Sequence, residues 1–212
     1  DVTASISYFS DSDAYIVGKP GTILVTGSTG GELRKRVATY YGDGTGNLDT
    51  LTMHNTGGPN SVWTMNYDSF GYGNLYTITD PVNYVLTYTY DSESQTYVTQ
   101  IADNFPAPDG PYYSKAEYNP YYGQLAWSRD LSGNYDVRMY DEFGRLQFVF
   151  GPYDTTNAEP PSGVGTATIA FAYTNPSIAA DGETLNSPAR AVTRNKAVSR
   201  IGNQGNTLDT VT

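Results

Sequence analysis

The chain has one histidine, His54, in 52-TMHNTGGPN-60, and no cysteine. Nucleophilic catalysis of the Ser-His-Asp kind would have to run through that imidazole, oriented by a carboxylate and facing a hydroxyl in defined geometry. A histidine in a polar, glycine-rich loop reads as solvated instead. The stretch 26-TGSTGG-31 follows a strand-like run and superficially resembles a phosphate loop. It lacks the Gly-Lys-Ser/Thr ending and a following helical pattern, and paired glycines mark turns, so a hairpin turn is expected. In 43-DGTGNLD-49, Asp43, Thr45, Asn47 and Asp49 alternate, an oxygen-rich spacing that a hard cation such as calcium could use. Leu48 falls where an EF-hand loop requires glycine, and His54 where it requires a bidentate glutamate, which favours an Asp/Asn turn. No metal is expected, and Asp43, Asn47 and Asp49 are the residues that would hold one. Asp11 and Asp13 could serve acid-base hydrolysis of sugars, where separation in space decides; in a chain with 22 Asp and Glu the pair reads as a turn or solvated face. The expectation is a non-enzyme with no catalytic residue and no cofactor.

The elements that carry these residues are strands. With 20 Tyr, 22 Gly, 12 Pro and many Thr, and only 16% charged residues in 212, the composition favours strands punctuated by turns. No segment sustains a 3.6-residue apolar period, so helices should be few. A net charge of −10 repels phosphate backbones and anionic lipid, which argues against nucleic acid as a partner. No apolar run approaches the roughly 20 residues of a membrane helix, and residues 1–30 lack the pattern of a signal peptide, so no membrane insertion is expected of this segment. The abrupt start at Asp1 and the strand-like ending 207-TLDTVT-212 suggest a slice of a longer polypeptide.

One pattern recurs. The stretch 140-YDEFGRLQFVFGPYD-154 sets Tyr140-Asp141 before Gly144 and Leu146, and then alternates Leu146, Phe148 and Phe150 with polar or smaller residues. It returns as 67-YDSFGYGNLYTITDP-81, 90-YDSESQTYVTQIAD-103 and 118-YNPYYGQLAWSRD-130, with heads Tyr67, Tyr90, Tyr118 and Tyr140 separated by 23, 28 and 22 residues. The longer interval contains the insertion 103-DNFPAPDGPYY-113, and a fifth copy starts at Tyr41. Each unit reads as strand, turn, returning strand, second turn. The second turns are 80-DPVN-83, opened by Asp80-Pro81, and 130-DLSGN-134, opened by Asp130, where Asn83 stands in the place of Gly133 and both types tolerate a left-handed backbone. An isolated hairpin is marginal in water, so successive hairpins must pair side by side. The expected fold is all-β: stacked antiparallel β-hairpins forming a curved, twisted sheet, with a β-rich entry segment at 1–40, hairpin repeats over 41–154, and a β-rich continuation with loops over 155–212.

Tyr140-Asp141, Gly144 and Leu146, preceded by Asp130 and Gly133 and followed by Gly151-Pro152-Tyr153, resemble the YD-repeat, or Rhs, pattern, and Tyr67-Asp68 with Gly71 is a second match. Tyr90-Asp91 is followed by Ser94 where the family would carry glycine, Tyr118 by Asn119 where it would carry aspartate, with Gly123 later, and two extra residues separate Gly71 from Leu75. Segments 97–103, 187–200 and 207–212 are similar to the B component of insecticidal Tc toxin complexes. The resemblance implies a β-strip spiralling into a hollow shell that encloses a cytotoxic C-terminal domain in a secreted or cell-surface bacterial protein. Its partners would be the rest of that parent shell and the enclosed toxin domain. The other reading is a carbohydrate- or protein-binding β-repeat module, in which exposed tyrosines meet glycans or a cell-surface partner.

Overall fold

The computed structural model describes residues 1–106, 108, 110–159, 167–196 and, through their backbone, 207–211. Residues 107 and 109 of the insertion, residues 197–200 of the 187–200 segment and Thr212 lie outside the described residues. The chain divides into two compact units, Asp1–Tyr112 and Tyr113–Thr212.

The first unit is a meander of eight strands, each antiparallel to the next: β1 (Val2–Asp11), β2 (Ile16–Gly27), β3 (Glu32–Tyr40), β4 (Leu48–Met53), β5 (Ser61–Tyr67), β6 (Leu75–Thr79), β7 (Val85–Tyr90) and β8 (Val98–Ala102). The second begins the same way with β9 (Tyr113–Asn119), β10 (Gln124–Arg129), β11 (Tyr135–Tyr140), β12 (Leu146–Phe150) and β13 (Ile169–Thr174). The short hairpin of β14 (Ser177–Ile178) and β15 (Leu185–Ser187) then interrupts the order, and β16 (Arg190–Lys196) and β17 (Thr207–Val211) complete the sheet beside β13. The fold is all-β, a stack of antiparallel hairpins, and no described residue is helical. The β14–β15 hairpin lies in the continuation expected to carry loops, and its strands of two and three residues are too short to show alternation in the sequence.

Cross-strand rows follow from the alternation of side chains. Thr39, Thr50, Thr64 and Thr79 face one another across β3 to β6, and the Thr39 and Thr50 hydroxyls lie 2.7 Å apart. Each such pair contributes roughly 0.2–1 kcal/mol. Full burial is scarce, because a sheet's side chains cover only their neighbours unless a second layer lies on them. Among the described residues the fully buried hydrophobics are Val137 and Phe150, both in the second unit, at 2% and 1% exposure.

Candidate functional site

The recurring Tyr-Asp turn is the densest concentration of polar chemistry in the chain, and its geometry can be built from three residues. Three head tyrosines end a strand and face the first residue of the returning one, Tyr67 facing Leu75, Tyr90 facing Val98 and Tyr140 facing Leu146, while Tyr118 faces Leu125 one pair inside the end, where Asn119 faces Gln124. In every case the residue after that partner, Tyr76, Thr99, Ala126 or Gln147, is left out of the register as a bulge. Bulges bend a strand and increase its twist. The same arrangement occurs at Tyr40, which faces Leu48 with Asp49 bulged.

The fifth copy is therefore headed by Tyr40, one residue before the Tyr41 that the sequence pattern indicates. Two adjacent tyrosines hide the register. Tyr41 instead takes the place of the aspartate: its N–H donates to Asn47 O, as that of Asp68 does to Asn74 O and that of Asp91 to Tyr97 O.

The second residue of the motif organises the turn. The Asp141 carboxylate accepts the N–H groups of Phe143 and Arg145 at 3.0 and 2.9 Å, while Arg145 Nε donates to its other oxygen at 2.8 Å. Gly144 closes the turn with φ 75° and an N–H bond to Asp141 O. Asp68 accepts from Phe70, Tyr72 and Asn74, and Asp91 from Ser94, Thr96 and Tyr97. The Asn119 side chain accepts from Tyr121 N–H, and Gly123 N–H bonds to its carbonyl. The left-handed residue of the 91–97 turn is Gln95, at φ 53°, next to the Ser94 that stands where the turn at Asp141 has Gly144 within the repeat pattern of the sequence. The two extra residues before Leu75 leave the Tyr67–Leu75 pair in register, because both Gly71 and Gly73 turn left-handed.

The turns at the other strand ends repeat the device. Asp80 accepts from Val82 and Tyr84, both at 2.9 Å, and Asp130 from Asn134 N–H and Nδ2. Asn83 and Gly133 hold equivalent places at φ 68° and 86°, each donating its N–H to the carbonyl of the leading aspartate. Pro81 follows Asp80 at a position whose N–H no bond of this turn uses. The 103–112 insertion is an expanded version: Asp103 accepts from Phe105 and, across the insertion, from Tyr112.

The tyrosine hydroxyls then link one hairpin to the next. Tyr90 donates to Leu75 O at 2.9 Å, Tyr140 to Leu125 O at 2.9 Å and Tyr173 to Leu146 O at 2.8 Å, and Tyr67 bonds to the Leu48 backbone. Tyr67, Tyr90 and Tyr140 thus each face the apolar residue of their own hairpin and bond to the backbone of its counterpart in the one before. Arg145 adds a tie by lying 4.3 Å from the centre of the Tyr173 ring.

These environments move proton affinities. Burial is the main cause of the raised values of the Tyr40, Tyr67 and Tyr90 hydroxyls. For Asp68, Asp91 and Asp141 burial is the largest single influence and acts upward, but the converging donors together outweigh it and the net shift is downward. Asp130 is lowered first by the Asn134 side chain, and Asp181, in the β14–β15 turn, is brought to about 2 chiefly by the Thr184 hydroxyl.

The candidate chemistry of the sequence does not assemble. Asp43 accepts from Thr45 N–H at 3.0 Å and Thr45 Oγ1 at 2.6 Å, Asn47 gives its N–H to Thr45 Oγ1, and Asp49 turns to the Thr39 hydroxyl. Among the described residues no three His, Asp or Glu side chains converge as a cation would need. Asp11 caps its own turn through the N–H groups of Asp13 and Ala14. His54 is anchored by its backbone N–H to Lys35 O at 3.0 Å. The stretch 26–31 is the β2–β3 turn, closed by Gly27 N–H to Gly31 O. One cluster escaped the sequence pattern altogether. Asp154 and Lys196 form an ion pair at 2.5 Å with side chains 1% and 4% exposed, and Thr168 Oγ1 donates to the second Asp154 oxygen. Their separation of 42 residues leaves no local signal.

No protein-family model and no curated protein sequence matches the chain. Its backbone is similar to chains of solved Tc toxin structures. The crystal structure of TcdB2-TccC3-Cdc42 gives a TM-score of 0.47 at 14% identity, covering 99% of this chain and 11% of that one. The Photorhabdus luminescens Tc holotoxin pore carrying a TccC3 mutation gives 0.47 at 15% identity, covering 99% and 10%. The chain spans about a tenth of the length of these matches.

Proposed function

We propose that the chain is a non-enzymatic structural segment of a YD-repeat, or Rhs-type, shell that encapsulates a toxic C-terminal domain of a secreted bacterial protein. The observation that supports this reading is the head tyrosine with its bulge and its apolar partner, repeated in five hairpins and followed by an aspartate in three of them. A device that links one hairpin to its predecessor through a tyrosine hydroxyl, as at Tyr67, Tyr90 and Tyr140, can be repeated without limit on strand number, which suits a wall. The low burial of the sheet accords with a segment whose faces are completed by the rest of a parent shell.

The experiment is limited proteolysis of the whole parent polypeptide. A C-terminal domain that resists protease while the shell is intact, and is digested once mild denaturant opens it, is the expected outcome. Immediate digestion of that domain in the native protein overturns the reading. The binding-module reading is favoured by the exposed rings at the turn tips, Phe70, Tyr72, Tyr121, Tyr122 and Phe143. A glycan array with the purified chain separates the two: saturable binding lost in Tyr121→Ala supports a recognition module, and no binding is expected of a wall.

A further inference from the structure

The Asp154–Lys196 cluster belongs to none of the turns described above. Asp154 lies in the segment after β12, where its N–H bonds to Gly151 O at 2.8 Å, and Lys196 ends β16. Thr168 connects them. Its hydroxyl receives the Gly151 N–H at 2.8 Å and donates to Asp154 Oδ2, while its carbonyl receives the Lys196 N–H at 2.9 Å. Lys196 Nζ is 2.5 Å from Asp154 Oδ1, which leaves the carboxyl carbon one covalent bond further away. Intramolecular attack profits most from atoms held about 3–3.5 Å apart, a range this approach permits.

Burial makes the charged state of such a pair expensive, because attraction between the ions repays the lost hydration only in part. Transfer of one proton from Nζ to Oδ1 gives a neutral amine beside a neutral acid, the pair of forms from which an amide can be made. We propose that Lys196 and Asp154 condense into an intramolecular isopeptide bond.

The Nζ lone pair attacks Cγ, and the carbonyl electron pair moves onto Oδ2, where the Thr168 hydroxyl hydrogen-bonds the developing oxyanion. On collapse the Cγ–Oδ1 bond breaks, Oδ1 takes a second proton from Nζ, and it leaves as water. Amine and acid give amide and water, with no change of oxidation state and no other reactant. The product carries no buried charge. In a chain without cysteine, an amide is a covalent tie still open, and this one joins the segment after β12 to β16 within the second unit.

Mass spectrometry of the purified full chain under denaturing conditions tests the proposal. The expected mass is that of the sequence less one water, with a proteolytic map in which the Asp154 peptide is joined to the Lys196 peptide and trypsin does not cut after Lys196. Lys196→Arg and Asp154→Ala should each restore the full mass. Thr168→Ala should leave a mixed population that gains cross-link slowly on incubation, and Thr168→Ser should recover the wild-type extent. A wild-type chain at its full sequence mass overturns the proposal whether or not any variant folds. So does a water loss that maps to Asp43-Gly44, Asp109-Gly110 or Asp181-Gly182, where a succinimide has the same mass.

Discussion

The hydroxyl of Tyr140 ends 2.9 Å from Leu125 O, while the ring stays half-buried against the neighbouring strand. Removing that one oxygen isolates the bond from the packing, because phenylalanine keeps the ring. Tyr140→Phe is expected to lower stability by about 1 kcal/mol, the usual net worth of such a bond, read as a lower urea midpoint with an unchanged slope. The aspartate that follows tests the turn instead of the link. Asp141→Ala strips the acceptor from two backbone N–H groups and the Arg145 guanidinium, whereas no hydrogen bond from the adjacent Glu142 side chain appears among the described residues. The urea midpoint should fall clearly in Asp141→Ala and stay near wild type in Glu142→Ala. Equal effects would mean that the carboxylate is not the organiser of the turn.

At the scale of the turn and its two strands, the left-handed residues carry the strain. The Cβ of an alanine at Gly144 would lie 3.1 Å from Gln124 Nε2, the group that holds the Gly144 carbonyl, whereas at Gly71 it would meet nothing within 4 Å. Both substitutions force an L-residue into a conformation costing about 1–2 kcal/mol, so Gly144→Ala should destabilise more than Gly71→Ala by thermal denaturation. Gly133→Asn should be milder than Gly133→Ala, since Asn83 holds the equivalent place at φ 68°. That equivalence is legible in sequence because the turn residues are consecutive and each type has a local reason to be there. The register at Tyr40 was not legible, since Tyr40 and Tyr41 are chemically identical and only the partner across the strand tells them apart. The left-handed residue after Asp91 was also hidden. Gln95 takes that backbone because the Asp91 carboxylate gathers three N–H groups around it, a constraint that outweighs the preference for glycine.

Across the whole chain, what sequence could not supply is what acts over distance: the hydroxyl ties from strand to strand, and the Asp154–Lys196 contact. What it did supply, strands with turns at regular intervals, sets how the molecule should respond to pH. The turn aspartates Asp43, Asp68, Asp91, Asp130, Asp141 and Asp181 all bind protons more weakly in the fold than an ordinary carboxylate of about 3.9. A depressed value means that the unfolded chain takes up protons first as pH falls, so the stabilisation is complete above about pH 4 and drains away toward the folded values, about 2 for Asp181. The tyrosines work in the opposite sense. Tyr40, Tyr67 and Tyr90 hold their protons more tightly in the fold than a free phenol of about 10, so their contribution is complete below that pH and is lost as pH rises beyond it. Urea unfolding followed by circular dichroism across the pH range should therefore show a broad plateau with two flanks. Replacing several turn aspartates by asparagine should flatten the acid flank and leave the alkaline one in place, whereas Tyr→Phe at 40, 67 and 90 should do the reverse. An acid flank of unchanged steepness in the asparagine variant would show that carboxylates elsewhere in the chain, and not the turns, govern its acid stability.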